Sequence, residues 1–374
     1  MRVRMELQTI DTRGQITSQR LLIAGAAFIG VLMVLSLLWG LFVSGSIQFS
    51  RLGTLVWDGL MRGLVIGLAG IGLSMTYSIL NFANFGHGDY ITSGAFVGWG
   101  VTYLIAGLGT AELGELLLVG ASGNVYGPQL GIGITQTPVA VILGLIVASL
   151  ATIAVALIVD RLVFKSMRDE EGISLLIASV GVAFALRYLI AFVYTQSNRG
   201  TTNASLVPDW SVPLVDGTLA VDAHDLTLLV ASVGLMLGVH VLMQRTKLGK
   251  AMRAMADNED LALVTGIPTE SVVRWTWIIG GGLTGAAGYL LVLWRGTLTF
   301  NFGWLLLLLI FAAVILGGIG SIYGAILGGL VIGLTMTLSQ IWIPTDFARA
   351  AAFGIMILIL LVRPEGLFAG RSTA

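Results

Sequence analysis

Two polar runs interrupt a chain that is otherwise almost wholly apolar, and they are where chemistry is possible. Residues 81–89, NFANFGHGD, set Asn81, Asn84, His87 and Asp89 among glycines between two apolar stretches. Amide, imidazole and carboxylate groups accept, donate or relay protons, and they can border a path for a polar solute. At membrane depth they are costly unless they pair or line a cavity. Gly86 and Gly88 allow the backbone to turn tightly. Asn84, His87, Gly88 and Asp89 are therefore candidates for a translocation path or gate of the discontinuous-helix kind. An ordinary turn between two helices fits the same spacing equally well. Arg187 joins this set, lying inside the run LLIASVGVAFALRYLIAFVY. A charge at the centre of a span costs about 2.5–3.5 kcal/mol even on the lenient insertion scale, so it should face protein or water. It could contact a substrate carboxylate. A structural pairing with backbone carbonyls, or with a polar group such as Asn81, is the favoured alternative.

The second run, 244–274, carries Arg245, Lys247, Lys250, Arg253 and Arg274. Asp257 can cap a helix opening at Asn258, with Asp260 three residues on as in a capping box. Gly266 then supplies a left-handed stop and Pro268 blocks continuation. A short capped helix on the basic side of a membrane suggests a docking element for a cytoplasmic partner, against the plainer reading of a solvated loop.

Several chemistries are excluded. The phosphate-cradling GxxxxGK[ST] loop is absent, because Gly249-Lys250 is followed by Ala251. Neither GxSxG nor HExxH occurs. There is no cysteine, and His87, His224 and His240 are too far apart in sequence to suggest a metal cluster. A net charge of zero gives nucleic-acid binding no electrostatic basis. The chain is thus expected to be no enzyme, with no catalytic residue, metal or cofactor of its own, and transport or channel function is the default.

The elements that must position these groups follow from composition. The chain is 56% hydrophobic and only 11% charged, against about 25% charged in soluble domains, so it is a polytopic membrane protein sitting in a lipid bilayer. Apolar runs near the ~20 residues needed to cross fall at 21–44, 59–80, 90–108, 139–160, 172–194, 226–243, 275–294, 303–318, 320–341 and 348–363. The two short ones, 303–318 and 348–363, could be steep or re-entrant, giving about eight to ten transmembrane helices in an all-α fold. Basic residues concentrate on the loops that share a side with both termini, which places N- and C-termini in the cytoplasm. Residues 109–138 and 195–225 become external loops. The division is a cytoplasmic segment 1–20, one transmembrane domain 21–363 with the polar loop 244–274, and a cytoplasmic tail 364–374. In 315–333, Gly320, Gly324 and Gly328 recur every four residues, with Ala325, Gly329 and Gly333 on an adjacent stripe, as close helix packing requires. A dimer seam is the lesser alternative. Trp57, Trp210, Trp294 and Trp304 fall near proposed outer ends and read as interfacial anchors.

Three stretches together resemble the permease subunits of branched-chain amino-acid ABC importers, of the high-affinity Leu/Ile/Val type with urea and short-amide relatives. They are NFGHGD at 84–89 followed by GAFVGWG, GKAMRAMADNEDLALVTGI at 249–267, and AAVILGGIGSIYGAILGG at 312–329. Gly86 and Asp89 stand where Ala and Glu are usual. The resemblance implies an ABC-importer permease architecture in a prokaryotic cell membrane. It also implies a second, similar or identical permease, two cytoplasmic ATP-binding subunits that consume the ATP, and an external solute-binding protein. The 244–274 loop would be the coupling element, with Arg253, Ala254, Asp257, Asn258, Ala262 and Gly266 carrying the docking. Rival expectations are a permease for urea, short amides or simple sugars, and an ATP-independent secondary transporter.

Overall fold

A computed structural model describes residues 24–25, 28–110, 113–116, 127–168 and 170–368. The expected segment 1–20, the end of the tail from 369, and Glu112 and Arg371 lie outside the described residues. The helices are α1 (Phe28–Phe42), α2 (Phe49–Leu80), α3 (His87–Gly107), α4 (Leu113–Leu116), α5 (Pro138–Leu162), α6 (Gly172–Tyr194), α7 (Ala223–Arg245), α8 (Lys247–Asp257), α9 (Glu259–Val264), α10 (Thr269–Arg295), α11 (Phe302–Gly317), α12 (Ile322–Leu338) and α13 (Ala348–Val362). Strand β1 (Arg199–Gly200) pairs antiparallel with β4 (Thr297–Leu298), and β2 (Asp209–Leu214) forms a hairpin with β3 (Gly217–Asp222). Seven of the helical segments are long and apolar enough to cross a membrane, and α1 and α11 are shorter apolar helices. The protein is an all-α, multi-pass membrane protein.

Hydropathy sorts the helices in the opposite sense to a water-soluble fold. The two most buried spans, α2 and α10, each have 83% of the hydropathic window inside the bundle, yet their mean hydropathies are only 1.7 and 1.5. The peripheral α5, α6 and α7 reach 2.8, 2.2 and 2.2 with less than a third of the window buried. Lipid is as apolar as any core, so helix association depends on close packing and polar contacts, while the greasiest faces go outward. The centre is accordingly built from small residues. Gly59, Gly63 and Gly67 of α2 oppose Gly329 and Gly333 of α12, and a Cβ at Gly329 would lie 2.5 Å from the Gly67 backbone nitrogen. On its other side α12 uses Gly324 and Gly328, where a Cβ would strike the carbonyls of Gly317 and Ala313 on α11. Both glycine stripes are consumed inside the chain, which leaves neither as a seam for a second copy. Gly320 departs from the expected stripe. It lies before Ser321, the N-cap of α12, with φ +86°, and serves a left-handed turn that glycine alone adopts without strain.

At the end of the bundle where α2 begins, Gln48 provides no side-chain cap. The cap comes from far along the chain: Asp216, in the turn of the β2–β3 hairpin, accepts from the Phe49 and Ser50 amides at 2.5 and 2.8 Å. Desolvation pushes the Asp216 carboxyl up, but the hydrogen bonds from the Ser50 and Phe49 amides outweigh it and hold it below the usual carboxylate range. Asp216→Ala is expected to speed hydrogen exchange at the first amides of α2 while leaving mid-α10 unchanged. Equal protection in the variant would show that the hairpin does not anchor the helix.

Candidate functional site

The 81–89 run is not a turn at the end of the bundle. Helix α2 ends at Asn81, which caps it in the left-handed region at φ 53°. The chain then doubles back, because His87, the first residue of α3, meets other helices far from their ends. Its Nε2 lies 3.0 Å from the Ala69 carbonyl, about two-thirds of the way along α2, and 3.4 Å from the Thr284 hydroxyl, just past the middle of α10. Helix α3 thus begins at mid-depth, and residues 82–86 form a re-entrant segment. This is the discontinuous-helix arrangement, and the ordinary-turn alternative is overturned.

A helix that begins inside a bundle brings amides with no intrahelical partner and the positive end of its dipole. The first-turn amides turn back on the chain, His87 N to the Asn84 carbonyl at 3.3 Å and Asp89 N to the Gly86 carbonyl at 3.0 Å, and side chains serve the amides that lead in. Asn84 Oδ1 accepts from Gly86 N at 2.9 Å, and the Ser179 hydroxyl of α6 accepts from Phe85 N at 2.9 Å. Asp89 sits in the first turn of α3, fully buried, where its negative charge suits the dipole. Arg187 of α6 meets it in a two-pronged ion pair, Nε to Oδ1 at 3.1 Å and Nη2 to Oδ2 at 2.8 Å. The guanidinium lies 4.4 Å from the Trp304 ring centroid and 5.3 Å from that of Phe184. Gly88 completes the arrangement by touching α11, where a Cβ would come 2.7 Å from the Gly303 carbonyl.

Four of the five path candidates therefore converge on the break, and the fifth, Arg187, locks it. The expectation of a structural partner for Arg187 holds, but the partner is Asp89; Asn81 is exposed and only ends α2. Asn84, His87, Gly88 and Asp89 are buried and Arg187 is largely covered, so the cluster is closed in this conformation. Two polar atoms within it, Asn84 Nδ2 and the Tyr90 hydroxyl, are buried without a well-formed hydrogen bond. Trp304 is a correction: it is no interfacial anchor but the aromatic floor under Arg187. Trp294 is another, stacking on Arg62 at 5.5 Å and donating from Nε1 to Asp225 at 2.8 Å. Trp99 and Trp277 are likewise fully buried, stacked on Tyr289 and Phe164. Proximity across distant segments was the missing signal in each case.

At the opposite end of α2, the 244–274 run folds into two helices where one was expected. Thr246 caps α8 by accepting from Gly249 N, and Met252 and Met255 point inward. The cap of α9 is Asn258, accepting from Leu261 N at 2.8 Å; Asp257 is the last residue of α8 and does not cap. Gly266 stops α9 at φ +85° as expected, and Ile267 N returns to the Ala262 carbonyl at 3.0 Å. Arg253 donates to the Met243 carbonyl, which ties α8 to the end of α7, and Ala254 is half-buried beside it. Ala262 is 2% exposed, so it packs inward and offers no surface. The exposed apolar residues of α9 are Leu261, Leu263 and Val264, at 61%, 59% and 84%. A groove of about 440 Å3 separates α9 from the α5–α6 turn, and its lining includes Leu80 and Phe82 of the break. Across it Glu270 binds Lys165 and Arg168, and Arg168 also binds Asp160 at 3.0 Å.

Comparison with known proteins places these features in a family. The model of the family described as "Branched-chain amino acid transport system / permease component" matches residues 55–360. The chain is 26% identical over 314 residues to the high-affinity branched-chain amino acid transport system permease protein LivH of Escherichia coli K12, covering 83% of this chain and 94% of that one. It is 25% identical over 313 residues to BraD of Pseudomonas aeruginosa, with coverages of 83% and 93%. It is 28% identical over 307 residues to a probable LivH of Methanocaldococcus jannaschii, with 80% and 87%. No solved structure matches the chain.

Removing one partner from a buried ion pair costs about 3–5 kcal/mol, whereas replacing both by apolar groups is often nearly neutral. Asp89→Leu and Arg187→Met should each sharply lower the thermal midpoint in detergent, and the double variant should recover most of the loss. A double variant as unstable as the worse single one would show that the pair does not hold the break.

Proposed function

Because the chain belongs to the branched-chain amino acid transport system permease family, we propose that it is the translocating subunit of an ATP-driven importer of branched-chain amino acids. In this reading it works with cytoplasmic ATP-binding subunits, a second permease and an external solute-binding protein, and uses no cofactor itself. The α8–α9 end lies in the cytoplasm of a prokaryotic cell, and the hairpin end faces outward. The basic loops support that orientation, since Lys165, Arg168, Arg245, Lys247, Lys250, Arg253 and Arg274 all fall at the α8–α9 end.

The observation that carries the coupling role is the exposed aliphatic face of α9, held rigid by the Asn258 cap, the Gly266 stop and the buried Ala262. Leu261, Leu263 and Val264 present contiguous apolar surface at a helix too short to be stable alone. The adjoining Asp257, Glu259 and Asp260 are exposed and acidic. Anionic lipid headgroups repel such a flank, so the face suits a protein groove better than the bilayer surface. ATP-driven closure of the partner subunits moves α9, and the motion reaches the break by two routes. One is the Glu270–Arg168–Asp160 chain to α5. The other is the shared groove floor at Leu80 and Phe82. Release of the closed cluster then opens the path inward, alternating access as hinged transporters do.

The test is ATP-dependent leucine, isoleucine and valine uptake in proteoliposomes holding the chain with its ATP-binding subunits and binding protein. Val264→Asp and Leu261→Asp should cut uptake at least about tenfold, as truncating a hot spot of 1.4 kcal/mol or more would. The amount of folded permease should not change, because both side chains are exposed. Normal uptake by both variants would remove α9 from the docking surface. Accumulation without ATP under an ion gradient would refute the importer reading itself.

A further inference from the structure

A half-open cavity of about 180 Å3 lies at the hairpin end, between α2, α10, α11, α12 and α13. Three guanidiniums border it: Arg62 from α2, Arg295 from the last turn of α10 and Arg349 from the first turn of α13. None of the three forms an ion pair among the described residues. Asp58 stands one turn before Arg62 on the same helix, also outside ion-pair distance. Arg62 is the most enclosed of the three, and its Nε is buried without a hydrogen-bond partner. Its plane is not free to swing, because it stacks on Trp294, and Trp294 is itself fixed by its hydrogen bond to Asp225. Asp225 in turn closes the capping box of α7. The remaining wall is aliphatic and aromatic, including Val65, Ile66, Leu291, Leu305 and Leu306.

Three like charges facing one cavity repel one another, and Asp58, which acts on Arg62 through space, offsets this only in part. Arg295 and Arg349 are exposed, whereas the enclosed Arg62 guanidinium with its unused donor is destabilising. Apart from the stacking of Arg62 on Trp294, folding gains little from this arrangement. It is the form expected of a site whose missing partner is an anion, with planar donors suited to a two-oxygen acceptor. The aliphatic wall demands that the anion carry a small branched or straight hydrocarbon portion.

We propose that this cavity is a substrate subsite in which Arg62, with Arg349 and Arg295, holds the carboxylate of a small aliphatic amino acid while α2, α10 and α11 enclose its side chain. The assignment rests on the importer reading and adds to it a determinant within the permease, beyond any selection made by the solute-binding protein. It also places the substrate on the outer side of the closed cluster at Asp89 and Arg187. The same donors would fit the phosphate of an anionic lipid, whose acyl chains would occupy the apolar wall.

Photo-leucine, a diazirine analogue of leucine, distinguishes these. The complete importer is reconstituted in nanodiscs of phosphatidylcholine, and again with phosphatidylglycerol added, then irradiated and mapped by mass spectrometry. Labelling is expected on the α10 and α11 segments around Leu291 and Leu305, competed by leucine and not by leucinamide, and unaffected by phosphatidylglycerol. Arg62→Gln and Arg349→Gln should each reduce that labelling about tenfold, the equivalent of one lost charge-assisted contact. Arg62→Lys should restore part of it. Arg51→Gln, at the same end but outside the cavity, should label normally. The thermal midpoint of Arg62→Gln should equal or exceed that of the unaltered protein, since an unpaired charge has been removed, which a structural arginine would not allow. Labelling elsewhere, or a loss of labelling with phosphatidylglycerol, would overturn the proposal and leave a lipid site in its place. Parallel uptake assays separate the two readings. ATP-driven uptake with no labelling here sinks the subsite alone, and no uptake by the unaltered complex sinks the importer reading.

Discussion

Beginning a helix at the middle of a bilayer is the constraint on which the rest of this architecture depends. Water is unavailable there, so every free amide of the first turn of α3 must find a partner in the protein. The His87 and Asp89 amides turn back to the Asn84 and Gly86 carbonyls, and the Asn84 and Ser179 side chains serve the preceding amides of Gly86 and Phe85, which brings α6 against the break. Asp89 answers the positive end of the dipole, and its own charge then requires Arg187. Arg187 in turn needs an electron-rich wall, met by Trp304 and Phe184. Each group is tolerable only because the next is present. A cluster with such serial dependence has two natural states, assembled or disassembled, and few in between.

Close packing around the break follows from the same solvent. With no hydrophobic force between helices in lipid, α2 and α10 are held by backbone proximity. Gly72 of α2 lies against Gly280 and Thr284 of α10, and a Cβ at Gly72 would come 2.7 Å from the Gly280 carbonyl and 3.3 Å from the His87 ring. The same glycines that draw the helices together therefore clear the space into which His87 fits. Sliding contacts between smooth, small-residue faces also permit shear, which interdigitated Leu and Phe side chains would resist.

Much of this was legible in the sequence, and the limits have physical causes. The bounds of α6 were read off directly, because its hydropathy window is uninterrupted. Helix α2 starts ten residues before the apolar run at 59–80, since Arg51 and Asp58 dilute the window although the backbone is helical throughout. At 32 residues it is about 48 Å long at 1.5 Å per residue, longer than the hydrocarbon core it crosses. The polar cluster at 84–89 was identified by composition, but its depth was not, because a re-entrant segment and a terminal turn have the same local spacing. The pairing of Asp89 with Arg187 joins positions 98 residues apart, which no local pattern encodes. Asn258 displaced Asp257 as the cap for a related reason. Both residue types cap well, and the choice was made by α8, an unforeseen helix that claims Asp257 for its own last turn.

The two ends of α2 are therefore unequal in kind. One is pinned by Asp216 from the hairpin and opens toward a cavity with unneutralised arginines. The other ends at a left-handed Asn81 beside a groove whose far wall is the exposed α9. A displacement applied at α9 meets first the groove floor at Leu80 and Phe82, and Phe82 opens the five-residue segment 82–86 that leads to His87 and Asp89. Between Phe82 and Phe85 the segment is not helical, so it has fewer backbone hydrogen bonds to resist rearrangement than the helices on either side. In the proposed reading, force from the α9 end falls on the break, while the glycine-packed halves of α2 and α12 frame it. In that reading coupling and gating fall on adjoining residues, because the chain turns back where a helix can be interrupted and still have its polar groups met.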